Sequence, residues 1–97
     1  MRTTKDMDFI YSFDGEEISI ELTQKSTRED VIKQYVDCRK AKKMTQDELS
    51  KIAGVSRPNI SRFESGRYNP SLEMMVRLAA ALEMDVCVKL EAKKQGE

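Results

Sequence analysis

One short turn signal constrains the fold more than any other part of this chain of 97 residues. Gly54 directly follows a helical pattern of apolar residues, and Ser56 directly precedes another. A glycine can take the left-handed conformation that ends a helix, and a serine side chain can cap the free backbone N–H groups of the next one. The sequence therefore predicts a tight turn around Val55 between two short helices, the second running from Arg57 to Ser65.

Further cap signals surround this turn. Thr45 and Glu48 have the spacing of a capping box, in which each side chain accepts a hydrogen bond from the backbone N–H of the other residue. Gly66 stands at the predicted exit from the second helix, and Ser71 stands before an apolar closing helix. Two helices joined by a turn of three or four residues that contains glycine form a helix-turn-helix. The helix Arg57–Ser65 is then the candidate recognition helix.

Alternating apolar residues on both sides of Asp14-Gly15 predict a β-hairpin near the start of the chain. The first run carries Phe9, Tyr11 and Phe13, and the second carries Ile18, Ile20 and Leu22. Two period-two runs around Asp-Gly are a strong hairpin signal. A lone hairpin is marginally stable in water, so its apolar face should lie on its own helical body, on a second subunit or on another protein.

A helix-start signal follows the hairpin at Thr27, because Glu29 and Asp30 place acids in the first turn. We expect the first helix to begin there and to end in the basic run Arg39–Lys43. Its buried face should carry Val31, Ile32, Tyr35 and Val36.

Near the end of the chain, Val86, Val88 and Leu90 alternate with polar residues and predict a strand. A single strand has unpaired edges. It should pair with its symmetry mate across a two-fold axis or with the hairpin of either subunit. The expected organisation is a hairpin extension (residues 1–25), a DNA-binding domain (26–84) and a dimerisation strand with its tail (85–97).

The formal net charge is zero, but the charge is unevenly distributed along the chain. Residues 1–32 hold four Lys and Arg against eight Asp and Glu, residues 33–77 hold ten against five, and residues 78–97 hold three against four. A basic body suits contact with phosphates, and an acidic arm suits a basic partner. The alternative is that both are ordinary solvated surface charge.

The outward positions of the candidate recognition helix carry side chains suited to reading DNA bases: Arg57, Pro58, Asn59, Ser61 and Arg62. Arginine can bond guanine and asparagine can bond adenine at two points in the major groove. Glu64 on the same helix would be repelled by DNA unless it is paired, and Arg39 is the best-placed cation. Such a pair would join two helices and orient Arg39 toward a phosphate.

Gln46 lies at a predicted helix N-terminus, where free backbone N–H groups favour phosphate binding. In the loop after the recognition helix, Arg67, Tyr68 and Asn69 should flank the groove and hold the DNA backbone. The basic run that ends the first helix should supply at least one further phosphate contact.

The stretch TQDELSKIAGVSRPNISRFESGRYNPSLEMMVRLAAAL resembles the Xre/Cro type of helix-turn-helix, and the resemblance spans about residues 31–84. It implies a bundle of four or five helices that acts as a dimer on a palindromic operator. It assigns base reading to Arg57, Pro58 and Arg62, a buried ion pair to Arg39 and Glu64, and phosphate contact to Gln46, Ser65, Arg67 and Asn69. The full expected phosphate set is Arg39, Lys43, Gln46, Ser56, Ser65, Arg67, Tyr68 and Asn69.

One position departs from the family pattern, because this chain has Lys43 where the family often has a glycine after its first helix. The architecture is also similar, more loosely, to antitoxins of the HigA and HipB types, which bind their own promoter and neutralise a toxin. This second resemblance implies a basic ribonuclease as partner, covered by the acidic hairpin through Phe9, Tyr11, Phe13, Asp14, Glu16 and Glu17. The alternative is a stand-alone dimeric repressor whose hairpin only completes its own sheet.

Several other functions are not expected. The chain has no His, and Cys38 and Cys87 lie in different predicted elements, so we expect reduced thiols, no metal site and no cofactor. We find no Gly-rich phosphate loop and no clustered nucleophile and base, so an enzyme is not expected. An apolar run long enough to cross a bilayer and a signal peptide are also missing, which favours a cytoplasmic protein.

Overall fold

The computed structural model describes residues 9–93, which form a two-stranded antiparallel sheet followed by four helices. The strands are β1 (Phe9–Tyr11) and β2 (Glu17–Ser19), and the helices are α1 (Ile20–Ala41), α2 (Gln46–Ala53), α3 (Arg57–Ser65) and α4 (Leu72–Ala81). This mainly helical bundle with an N-terminal hairpin confirms the predicted fold class. The start of the predicted N-terminal extension, residues 1–8, and the tail, residues 94–97, lie outside the described residues.

The α2–turn–α3 unit forms where its local signals predicted it. Thr45 Oγ1 accepts from the Glu48 N–H at 3.0 Å, and Glu48 Oε1 accepts from the Thr45 N–H at 2.8 Å, which completes the capping box. Gly54 ends α2 in the left-handed conformation (φ 69°), and the Ser56 side chain caps α3. The turn therefore fixes the angle at which α3 leaves α2.

The same devices end α3 and start α4. Gly66 closes α3 with φ 75°, and Ser71 Oγ accepts from the Met74 N–H at 3.0 Å. The loop between them is thus bounded by two defined helix ends, which limits where its polar residues can lie.

The core holds α3 by its inner face. Ile60 and Phe63 are 0% and 1% exposed. The Tyr35 ring of α1 meets Phe63 edge to face at a centroid distance of 5.1 Å, and the Tyr35 hydroxyl donates to the Met75 carbonyl at 2.8 Å. Burial raises the pKa of this phenol. The other core residues are Ile32, Leu49, Ala53, Val55, Leu78, Ala79 and Leu82.

The predicted start of the first helix at Thr27 is wrong, because α1 begins at Ile20. Ser19 is its cap and accepts from the Leu22 N–H at 3.3 Å, and Glu21 supplies the acid in the first turn. The second strand accordingly ends at Ser19 instead of continuing to Leu22. Residues 21–25 are mostly good helix formers, which favour the helix once a cap is available. Helix α1 runs without a break across the expected boundary at residues 25 and 26.

The predicted C-terminal strand is not formed in the single chain. Within residues 9–93 the sheet consists of β1 and β2 only, so Val86, Val88 and Leu90 do not pair with the chain's own hairpin. Val88 and Leu90 are exposed and Val86 is half-buried. A strand needs a neighbour for its backbone groups, and the described part of the chain offers none at this place.

Two structural findings concern membranes and metals. None of the described helices combines the length and the apolar character needed to cross a membrane. Residues 9–93 also hold no group of His, Cys, Asp and Glu side chains arranged to bind a metal ion. Cys38 and Cys87 are both free, one half-buried and the other exposed.

Candidate nucleic-acid interface

The outer face of α3 is open to solvent. Its exposed residues are Arg57, Pro58, Ser61, Arg62 and Ser65. Because Ile60 and Phe63 anchor the opposite face in the core, these side chains project away from the bundle. The face is basic, since it carries two arginines and no acid. The face belongs to a single α-helix, and the major groove of DNA is wide enough to admit one α-helix.

Asn59 differs from the other base-reading candidates because it is half-buried. Its Oδ1 accepts a hydrogen bond from Arg62 Nη1 at 3.2 Å, across the three-residue spacing of one helical turn. This bond reduces the conformational freedom of the Arg62 guanidinium. The structure therefore brings these two candidates together as a unit rather than as independent side chains.

The structure also brings Arg39 and Glu64 together. Arg39 Nε and Nη2 donate to Glu64 Oε2 and Oε1 at 2.7 and 3.0 Å, and the two side chains are only 12% and 10% exposed. Arg39 Nη1 donates to the Met44 carbonyl at 2.7 Å, and Gln46 Nε2 donates to Glu64 Oε1 at 2.9 Å. One carboxylate thus joins α1, α2 and α3.

This hydrogen-bond network occupies donors of Arg39 and Gln46, two of the expected phosphate contacts. Three N–H donors of Arg39 are bonded within the protein, so its first role is to hold α3 against α1. Gln46 uses one of its two amide hydrogens on Glu64 and keeps the other. Gln46 is also the first residue of α2, where backbone N–H groups have no intrahelical partner.

The remaining phosphate candidates lie around the two ends of α3. Lys43, Arg67 and Asn69 are exposed, and Tyr68 is half-buried. The hydroxyl groups of the two serines have local partners: Ser56 Oγ caps α3, and Ser65 Oγ donates to the Arg62 carbonyl at 2.7 Å. A shallow groove joins the helix face to the loop and is lined by Pro58, Ser61, Arg62, Ser65, Arg67 and Tyr68. Three base-reading candidates and three phosphate candidates thus line one groove.

A sequence model of the helix-turn-helix family matches residues 37–88, which is more than half of the chain. The chain belongs to the helix-turn-helix family, of the Xre/Cro type. The matched residues include α2, the turn, α3 and α4, the elements that carry the surface just described.

Two curated relatives come from a bacterium and from a phage. The chain is 34% identical over 62 residues to an uncharacterised transcriptional regulator of Haemophilus influenzae, covering 64% of this chain and 63% of that protein. It is 40% identical over 52 residues to the ImmF control region 10 kDa protein of Bacillus phage phi105, covering 54% of this chain and 58% of that protein. The chain thus spans about three fifths of the length of these relatives.

One solved structure has the same fold over nearly the whole chain. It is described as a toxin-antitoxin module from Streptococcus pneumoniae, with a TM-score of 0.60 and 24% identity. The superposition covers 93% of this helix-turn-helix protein and 93% of the matched chain. At 24% sequence identity, this similarity shows that the two chains share a fold.

Sequence reasoning did not single out Arg28, which contacts the phosphate candidate Asn69. Its Nη1 donates to Asn69 Oδ1 at 2.7 Å, and its Nε is buried without a hydrogen-bond partner. Arg28 lies eleven positions before Arg39, which is about three helical turns, so both point from the same face of α1. That spacing was the available signal. The spacing did not indicate a shared face in advance, because the first helix was expected to begin at Thr27, directly before Arg28.

The hairpin presents a second exposed surface of this helix-turn-helix protein. All of β1 is exposed, as are Phe13, Asp14, Glu16 and Glu17. The Ser12 hydroxyl donates to the Asp14 carboxylate and lowers the pKa of Asp14. The aromatic side chains Phe9, Tyr11 and Phe13 are therefore not covered by the described helices, and acidic side chains lie beside them.

Proposed function

We propose that this protein is a sequence-specific repressor that binds its own promoter through the outer face of α3. One observation carries the proposal: Arg57, Ser61 and Arg62 are exposed on a single helix face whose opposite face is locked into the core by Phe63. A rigid helix of this kind can enter the major groove, where arginine discriminates guanine. Pro58 and Asn59 complete the proposed base-reading set.

The proposed phosphate contacts surround that helix. They are Arg39, Lys43, Gln46, Ser56, Ser65, Arg67, Tyr68 and Asn69. Contacts of this kind fix the register of a protein on DNA and contribute affinity that falls as salt rises. Binding of the purified protein to the DNA upstream of its own coding sequence tests the proposal, with an unrelated duplex of equal length as control. Equal affinity for both duplexes would contradict sequence-specific binding.

We propose a two-fold symmetric dimer as the DNA-binding form. The segment after α4 has no regular secondary structure over residues 84–93, and its Val86, Val88 and Leu90 have no strand partner within residues 9–93. Pairing of this segment with its copy would satisfy the backbone groups of both. In such a dimer the two α3 helices can reach half-sites one turn apart on a palindromic operator, about 34 Å.

We further propose that the protein is the antitoxin of a toxin-antitoxin pair and that the hairpin covers a basic ribonuclease toxin. Two features support this. Phe9, Tyr11 and Phe13 expose aromatic surface beside Asp14 and Glu17, which suits a basic partner. The fold likeness to the Streptococcus pneumoniae module also extends over 93% of the chain and is thus not limited to residues 37–88.

The second candidate is a repressor without a toxin, as favoured by the relatives named transcriptional regulators. Affinity purification of the tagged protein from its host separates the two. We expect a small basic protein in equal amount with the wild type, and its loss with Phe13→Ala combined with Tyr11→Ala. Ile52→Ala is the matched control, since Ile52 is an apolar side chain of α2 that is 61% exposed, close to the 69% of Tyr11, and lies outside the hairpin.

The structure determines the choice of these variants. Deleting residues 1–25 would remove the cap and the first turn of α1, so loss of a partner could reflect damage to the helix. The exposed aromatic side chains contribute little to folding and can be truncated safely. Recovery of only DNA and the protein itself would reject the antitoxin proposal, and retention of the partner by the double variant would reject the hairpin interface.

A further inference from the structure

One face of α1 contacts both the end of α3 and the loop that comes after α3 in the chain. Arg39 holds Glu64 near the end of α3, and Arg28, three turns earlier on the same face, holds Asn69 in the loop. Between them Ile32 is buried, and its Cδ1 lies 3.7 Å from where a Cβ on Gly66 would be. Helix α1 therefore supports the whole stretch from the end of α3 to Asn69.

The bond between Arg28 and Asn69 is poorly explained by stability. It is a single hydrogen bond between exposed atoms, and such bonds add little to the free energy of unfolding because water competes for both groups. The same arginine leaves its Nε buried with no partner, which is unfavourable. The small stabilisation from the exposed hydrogen bond is thus offset by the cost of burying Nε without a partner. Because the net contribution to folding is small, the contact indicates a different role.

We propose that Arg28 is a positioning residue for DNA binding, which acts by orienting the Asn69 side chain. This inference rests on the proposed function, since it assumes that Asn69 contacts a phosphate. The guanidinium only donates hydrogen bonds, so it holds the oxygen end of the Asn69 amide. The NH₂ end is then turned away from Arg28 and is free to donate to a phosphate oxygen, which only accepts.

Without Arg28, the Asn69 amide can rotate and present its oxygen to the DNA. Two acceptors that face each other do not form a hydrogen bond, so part of the bound population would lose the phosphate contact. Arg28 also precedes the residues matched by the helix-turn-helix model, which begin at residue 37. The proposed orientation of Asn69 by Arg28 therefore depends on the part of α1 before residue 37, which lies outside the matched family motif.

The experiment measures the dissociation constant for the duplex upstream of the coding sequence, with Arg28→Met, Asn69→Ala and the double variant. Arg28→Met keeps the apolar stem and removes the donor. We expect about a fivefold loss for each single variant and no further loss in the double variant, because both remove the same contact. Arg28→Lys should restore most of the affinity, since one donor suffices for the Asn69 oxygen.

Two controls separate positioning from charge and from folding. Lys33→Met removes one positive charge from α1 at an exposed site roughly 140° around the helix from Arg28, and we expect less than about a twofold change. The thermal unfolding temperature of Arg28→Met should match that of the wild type, because the removed bond is exposed and the orphaned Nε is removed with it.

Additive losses in the double variant would overturn the proposal, since they would show that Arg28 acts independently of Asn69. An unchanged affinity of Arg28→Met would overturn it as well. Failure of the proposed function has a different signature: the wild type would then not prefer its own upstream DNA, and Arg62→Ala would leave binding unchanged. Loss of preference in Arg62→Ala with no effect of Arg28→Met would reject only the positioning role.

Discussion

Glu64 on α3 binds the guanidinium of Arg39 on α1 through both carboxylate oxygens, at 2.7 and 3.0 Å. Both side chains are about nine-tenths buried, so water does not compete strongly for either group. The pair fixes the C-terminal end of α3 relative to α1, and the neighbouring Phe63 packs against Tyr35 of α1. The orientation of the proposed recognition helix therefore depends on one ion pair and one aromatic anchor.

Glu64→Ala should lower the free energy of unfolding by about 3 kcal/mol, because it leaves Arg39 buried without a counter-charge. Denaturant unfolding measures this. The exposed pair of Lys33 and Asp37 is the control, since Lys33→Met should cost less than about 0.5 kcal/mol. The combination Arg39→Met with Glu64→Leu should be less damaging than Glu64→Ala. Equal costs for Glu64→Ala and Lys33→Met would contradict a structural role for the buried pair.

Arg62→Ala should weaken binding to the operator by about 1–3 kcal/mol and relax the preference at one base pair. The guanidinium is exposed and already oriented by Asn59, so little ordering is needed on binding. Asn69→Ala is the matched variant, because loss of a phosphate contact should weaken binding to all sequences alike. An Arg62→Ala protein with unchanged affinity and preference would show that α3 is not the recognition helix.

Lys43→Gly should raise the free energy of unfolding by about 0.5–1 kcal/mol. Lys43 has φ 56°, a left-handed conformation that is unfavourable for a residue with a Cβ and easy for glycine. Lys40→Gly is the control, since the same substitution within α1 should destabilise by about 1 kcal/mol. Thermal unfolding compares the two. A loss of stability with Lys43→Gly would show that the left-handed residue is not strained.

Val88→Asp should dissociate the proposed dimer, because it would place a carboxylate in the seam between two extended segments. Val88 is 76% exposed in the single chain, so its replacement should not unfold the protein. Lys89→Asp is the control, since successive side chains of an extended segment point to opposite sides. Sedimentation velocity reports the oligomeric state. A Val88→Asp protein that sediments like the wild type would exclude the C-terminal segment as the seam.

The helix-turn-helix core was predictable because its determinants are local. Thr45, Gly54, Ser56 and Ser71 act on backbone groups a few residues away, and their signals did not depend on the rest of the fold. The inner face of α3 followed equally from the three-residue spacing of Ile60 and Phe63. Residue spacing was enough to find these elements.

The parts that the sequence did not determine depend on competing or distant partners. Ser19 and Thr27 are both acceptable helix caps, and the sequence did not show that the earlier one is used. The alternation through Val88 indicates an extended segment, but a strand also requires a neighbour, which residues 9–93 of the single chain do not supply. The contact of Arg28 with Asn69 spans 41 positions, so predicting it required knowing that α1 reaches this loop.

Selection of binding sites from a pool of random duplexes tests the central claim most directly, with the wild type and Arg62→Ala compared side by side. We predict that the wild type enriches a palindrome with half-sites about 34 Å apart, and that Arg62→Ala loses the preference at one symmetric base position while keeping the others. Enrichment of no sequence by the wild type, or the same sequence by both proteins, would contradict base reading by α3.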